Sequence, residues 1–138
     1  MDTNILISAL IKDSFSRKII LESNFKFLSP DFSLQEIEKY KEEILEKSGI
    51  TNNDFYTLLY SILDKIEIVK KDEYNYKIKE AEDIIGKIDI KDVPFIALAL
   101  ALGNEVSGIW TDDKDFERQN RIKVWKSGDV FKEFFRLT

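Results

Sequence analysis

Two residue types that carry much of enzyme chemistry are missing. The chain has no cysteine and no histidine, which excludes disulfides, thiolate nucleophiles, zinc fingers and catalytic triads built on an imidazole. A metal held by this protein must be held by oxygen, and oxygen donors favour hard ions such as Mg²⁺ or Mn²⁺ over Zn²⁺ or Cu²⁺. Proline and glycine are scarce, 2 and 5 in 138 residues, so there is little room for a disordered linker or a low-complexity tail. No internal repeat is visible. The longest strongly apolar run, Val93 to Leu102, falls short of the roughly 20 residues that cross a bilayer. Nor does the N-terminus show a basic region followed by a cleavable apolar one. A soluble, cytoplasmic protein with no membrane partner is expected. Positive charge is also in deficit, 21 bases against 26 acids for a net −5. Nucleic-acid affinity comes largely from phosphate neutralisation, so a nucleic-acid enzyme of this charge needs cations and a local basic rim.

What is present suits one domain, residues 1–138, with one substantial core: 43% of the residues are hydrophobic, with Ile, Leu and Phe prominent. Ile5-Leu6-Ile7 opens a helix capped by Asp2 or Asn4, and Ser14 or Ser16 caps a second helix to about Leu21. Phe25 to Leu28 reads as a strand stopped by Ser29-Pro30. A long helix is expected from Asp31 to Lys47, ended by Ser48-Gly49, and another from the capping box at Thr51 to Lys65. Ile66 to Val69 alternates as a strand, and Tyr74 to Ile85 has helical spacing. The next helix starts between Asp89 and Val93, because Pro94 is tolerated only in a first turn. Its body to Leu102 is apolar on every face, the pattern of a central buried helix. Val106 to Trp110 and Ile122 to Trp125 complete the strands, with a turn or short helix over Asp113 to Gln119 between them and a last helix from Ser127 to Arg136. Short strands alternating with helices predict an α/β fold with a mostly parallel sheet and helices on both faces.

The acids fall at element ends. Thr111-Asp112-Asp113-Lys114-Asp115 directly follows a strand, where open α/β sheets place their ligand crevice. Asp2 precedes the first helix, Glu36 lies near the start of the long one, and Asp92 stands at the mouth of the buried helix. Glu36 sits about 100° around the helix from the inward-facing Ile37, at the edge where a cleft would open. Taken singly, Asp2, Asp89 and Asp92 also suit ordinary N-caps, and Glu36 a favourable first-turn charge. A calcium loop beginning at Asp113 is excluded, because Arg118 stands where the loop needs glycine and Val124 where it needs glutamate. A phosphatase of the haloacid-dehalogenase type needs Asp-x-Asp after an early strand, which Asp2-Thr3-Asn4 does not supply.

In order along the chain, Asp2-Thr3-Asn4, the helical Glu36, Lys91-Asp92-Val93-Pro94-Phe95-Ile96-Ala97-Leu98-Ala99-Leu100 and Trp110-Thr111-Asp112-Asp113-Lys114-Asp115-Phe116 resemble the PIN-domain nucleases. The resemblance spans the chain, and the last two motifs are the specific ones. It implies a three-layer α/β/α sandwich with a mostly parallel central sheet. It also implies a Mg²⁺- or Mn²⁺-dependent endoribonuclease that cuts single-stranded RNA to leave a 5′-phosphate and a 3′-hydroxyl. By position, Asp2, Glu36, Asp92 and Asp113 match the catalytic, metal-holding acids. Asp115 matches an accessory metal acid, while Asn4 and Thr111 match polar residues lining the site. Many small stand-alone members are VapC-type toxins, which implies a toxin–antitoxin pair with an antitoxin protein as partner. One feature departs from the family: only Met1 precedes Asp2, so the first strand is short or missing and the chain is expected to begin late relative to its relatives. A degenerate PIN fold serving as a protein-interaction module is the alternative. Arg118, Arg121 and Lys123, with Lys126, are candidates for the RNA-binding rim or for a solvated face. Trp110 and Trp125 are expected in the core. Phe131, Phe134 and Phe135 either pack the last helix or serve a homodimer contact.

Overall fold

In the computed structural model, which describes residues 1–138, the central layer is made of very short parallel strands. Strand β1 (Phe27–Pro30) pairs with β2 (Ile66–Val69), and β3 (Ile109–Trp110) pairs with β4 (Val124–Trp125). Met1 and Asp2 join the two pairs. The Met1 nitrogen donates to Leu28 O at 2.9 Å, Ser29 Oγ donates to Met1 O at 2.9 Å, and Asp2 N donates to Trp110 O at 2.9 Å. The spatial order is therefore β2, β1, the Met1–Asp2 link, β3, β4. The first strand, expected to be short or missing, is reduced to this two-residue link, which is too short to form a strand.

Successive strand side chains go to opposite faces, and here each face has its own core. Phe27, Ile66, Ile68, Trp110 and Trp125 pack into one cluster, while Leu28, Val69, Ile109 and Val124 pack into the other. The first cluster is roofed by α1 (Thr3–Ile11), α2 (Phe15–Glu22), α4 (Lys41–Ser48), α5 (Asn52–Leu63) and α8 (Ser127–Leu137). The second is roofed by α6 (Ile78–Ala81) and α7 (Val93–Leu102), with Tyr74 and Phe116 filling between them. This is the three-layer α/β/α arrangement expected from the sequence. Local signals explain the helix starts: Asp2, Ser14 and Thr51 each accept a backbone N–H of the helix that follows. Helix α4 ends at Gly49 with φ +71°, a conformation cheap only without a Cβ. No helix is long and apolar enough to cross a membrane.

Several boundaries differ from expectation, each for a physical reason. Strand β1 runs through Pro30 instead of stopping before it. Asp31 N bonds to Val69 O at 2.9 Å, so by alternation the nitrogen of Pro30 faces away from β2 and its missing donor costs no ladder bond. The helix expected over Asp31–Lys47 is broken at Tyr40, whose φ −98° and ψ 9° separate α3 (Phe32–Lys39) from α4. The helix expected from Tyr74 to Ile85 starts late: a short 3₁₀ turn over Asn75–Lys77 leads into the single α-helical turn of α6, which continues as a π-helical turn over Glu82–Gly86. Tyr74 is tied there by its hydroxyl, which donates to Asp31 at 2.6 Å. Strand β3 is reduced to two residues because Gly108, at φ +146°, brings the backbone against Lys123: a Cβ would lie 2.4 Å from its carbonyl oxygen.

Candidate metal centre

All the parallel strands end on one edge, and the acids collect there. At that edge Asp2 follows the Met1–Asp2 link, and its carboxylate is fixed twice, accepting from Thr111 Oγ1 at 2.8 Å and from Asn4 N at 3.4 Å. Thr111 also accepts from Asp113 N at 3.0 Å, so one buried hydroxyl sets the positions of both Asp2 and Asp113. Asp113 in turn caps the short turn Lys114–Arg118, accepting from Asp115 N at 2.9 Å. From the opposite face, Asp89 caps the turn Ile90–Asp92 by accepting from Lys91 N at 3.0 Å. That turn leads into α7, which presents Asp92. Glu36, on α3, accepts from Thr3 Oγ1 at 2.6 Å.

The carboxylate oxygens of Asp89, Asp92, Asp113 and Asp115 all lie within 4.8 Å of one another. Oxygens trans across Mg²⁺ stand about 4.2 Å apart, twice a bond of about 2.1 Å, so slight closure would bring this set into coordination distance. Asp2 and Glu36 stand outside the tight cluster but line the same groove, of about 340 Å³, with Asp89, Asp92 and Asp113. Capping explains one oxygen each of Asp2, Asp89 and Asp113. It does not explain Asp92, whose side chain makes no cap bond, is 6% exposed, and leaves Oδ2 buried with no hydrogen-bond partner. A buried, unpaired carboxylate oxygen is costly, and a cation among the four aspartates is the partner that would satisfy it. The donor set is all oxygen and fits a hard divalent ion.

The electrostatics agree with that fit. Burial pushes Asp92 up to about 8, with repulsion from Asp89, Asp113, Asp2 and Asp115 adding to it. Burial also raises Asp2, against the opposing pull of the Thr111 and Asn4 hydrogen bonds, and raises Glu36 against that of Thr3. In each case the protein holds a carboxylate where water alone does not stabilise its charge, and a divalent ion would reverse the balance.

Of the residues singled out in the sequence, Asp92, Asp113 and Asp115 come together in the cluster; Asp2, Glu36 and Asn4 line its groove; Thr111 lies beneath, buried. Asp89, which in the sequence suits only an N-cap, joins the cluster as well. Its signal was the spacing to Asp92, since residues three apart in a helical turn share a face. Asp112 is turned aside, exposed and accepting from both the backbone N–H and the hydroxyl of Ser127. The basic candidates stand off the groove lining: Arg121 pairs with Glu80 at 2.9 Å, Lys123 lies over the Trp125 ring at 4.2 Å, and Arg118 is exposed. Lys126 pairs with Glu117 at 2.9 Å. The cations that do line the groove are Lys47 and Lys91. Trp110 is in the core, and Phe131, Phe134 and Phe135 all pack against Phe15, Phe135 with most of its ring still exposed. A family model described as PIN domain matches residues 1–130. No curated protein and no solved structure matches the chain.

Proposed function

Because the chain belongs to the PIN-domain family, a family of metal-dependent nucleases, we propose that it is a Mg²⁺- or Mn²⁺-dependent endoribonuclease that hydrolyses single-stranded RNA. The observation that carries this reading is the buried, unpartnered Oδ2 of Asp92 among three other carboxylates. An interaction module has no use for that arrangement, and in the absence of a cation it weakens the fold.

Asp92, Asp113, Asp89 and Asp115 would hold the ion, with Asp2 and Glu36 facing it across the groove. When bound, such an ion would supply a more acidic water and a positive charge against the scissile phosphate. The chain's own residues do the rest. Thr111 fixes Asp2 relative to Asp113, and Thr3 fixes Glu36. Asp2 and Glu36, whose carboxyls burial makes more basic than ordinary ones, are the groups suited to accept a proton from the attacking water. Asn4, exposed on the rim, can donate its amide to a phosphate oxygen. Arg118 and Lys123 stand off the groove, so their part is to draw in RNA beyond the cleaved phosphate, with Arg121 partly neutralised by Glu80. With the resemblance to VapC-type proteins comes a finer role, that of a cytoplasmic toxin restrained by an antitoxin. Expression that arrests growth, and an Asp92→Asn variant that does not, would support it.

Titrating Mn²⁺ into the protein while following thermal unfolding, and then adding a single-stranded oligoribonucleotide, tests the proposal. Stabilisation by Mn²⁺ and Mn²⁺-dependent cleavage are expected. Neither effect in the wild type would leave the interaction module as the better reading.

A further inference from the structure

The groove that contains the acids does not end with them. It continues along α1 and α4, where Ile7 and Ile11, one helical turn apart on α1, and Tyr40 and Ile44 form an apolar stretch bordered by Glu43. Ile44 is buried, but Ile7, Ile11 and Tyr40 are only half-buried, so they present an apolar shelf to the open groove. Tyr40 is the residue at which the expected long helix breaks, and the break sets its ring at the groove. Lys39 Nζ stands 5.4 Å from the ring centroid, and Lys47, paired with Glu43 at 2.8 Å, also lines the groove. The other lining cation, Lys91, is exposed and forms no ion pair.

We infer that this shelf is a nucleobase site, so that the enzyme grips an unpaired base next to the phosphate it cleaves, with Tyr40 as the stacking residue and Ile7 and Ile11 as the floor. The inference rests on the metal-nuclease reading and adds its substrate contact. A nucleotide joins the two chemistries the groove offers: a phosphate for the cation-binding end and a flat apolar ring for the shelf. An apolar peptide would match the shelf but would leave the carboxylates facing hydrocarbon. Lys91, which forms no ion pair, suits a flanking phosphate, and Lys47 can exchange its exposed ion pair with Glu43 for a second one. A base held in a duplex could not turn its face to Tyr40, so the site selects single strands through stacking and not through base-edge readout.

The test uses two oligoribonucleotides of equal length and charge, one of uridines and one of abasic ribose phosphates, in Mn²⁺. Wild-type protein should show a KM about tenfold or more lower for the uridine strand, the range expected of base–aromatic stacking. Tyr40→Ala should raise KM for uridine by a similar factor with kcat within about twofold, the signature of lost ground-state binding. Tyr40→Phe should retain wild-type KM. Lys47→Gln should weaken both strands alike. As a readout without turnover, fluorescence anisotropy of labelled strands on Asp92→Asn and on Asp92→Asn/Tyr40→Ala should show the base preference in the first and not in the second. Ile11→Ala gives an independent variant at the floor, and unfolding curves show which variants are folded. Metal-dependent cleavage with unaltered KM in folded Tyr40→Ala and Ile11→Ala would overturn the shelf alone. Absence of both Mn²⁺ stabilisation and cleavage in wild type would overturn the nuclease reading and the shelf with it.

Discussion

Replacing Asp92 by asparagine should make the metal-free protein more stable while destroying its site. Asp92 is 6% exposed, and its carboxyl is raised from an ordinary 3.8 to about 8. The folded value lies above the unfolded one, so the contribution to stability is fully present below about pH 4 and is lost as pH rises toward 8. At pH 8 the ceiling is about 5 kcal/mol, from about 1.4 kcal/mol for each of the roughly four units between 3.8 and 8, less a small correction for half-protonation at 8. Asp89, Asp113 and Asp115 are half-buried, so water reaches the cluster and screens part of the repulsion; about 2 kcal/mol is a realistic remainder. Asparagine has nearly the same shape, carries no charge, and its amide can donate to the neighbouring carboxylates. In EDTA at pH 8, differential scanning fluorimetry should place Asp92→Asn about 6 °C above wild type, at roughly 3 °C per kcal/mol for a chain of this size. The gap should close as pH falls toward 4. Excess Mn²⁺ should raise wild type, by about 2.7 kcal/mol at a hundred times Kd, and leave the variant unmoved. A variant less stable than wild type in EDTA at pH 8 would refute the view that Asp92 is held in a strained, ion-seeking state.

Other perturbations probe the supports. Thr111→Val removes the donor to buried Asp2 and the acceptor of Asp113 N; a loss of about 2 kcal/mol is expected, with weaker Mn²⁺ binding by calorimetry, while Thr111→Ser keeps both. Gly108→Ala places a Cβ 2.4 Å from Lys123 O at φ +146°, which should cost about 3 kcal/mol in urea unfolding by prising β3 from β4. The double variant Arg118→Ala/Lys123→Ala should lower the slope of log affinity against log salt for RNA by about 1 to 2 without altering kcat; an unchanged slope would remove those residues from the RNA rim.

The sequence made the fold legible where the signals were local. Asp2, Ser14, Thr51 and Gly49 mark helix ends by chemistry that needs no partner, and each stands where expected. The even apolarity of α7 likewise announced a buried helix. What depended on distant contacts was not legible. Nothing between Lys39 and Lys41 breaks a helix on its own, yet the chain bends at Tyr40. The rigid turns around Tyr74 follow from a hydrogen bond to Asp31, 43 residues away. The extent of β3 depends on how closely Gly108 approaches Lys123. The acids of the groove were legible as a set because they sit at element ends, but Asp89 passed as a cap, since capping and ligation ask for the same residue in the same place. Which acids form the tight cluster is a matter of tertiary distance, and spacing along the chain does not encode it.

Cleavage of a generic single-stranded RNA in Mn²⁺ by wild type, Asp92→Asn and Asp113→Asn, each purified identically, bears most directly on the proposed activity. Metal-dependent cleavage by wild type, abolished by EDTA and reduced at least a hundredfold in both variants, is the result expected. Equal activity in all three proteins would place any nuclease outside this carboxylate cluster and contradict the account.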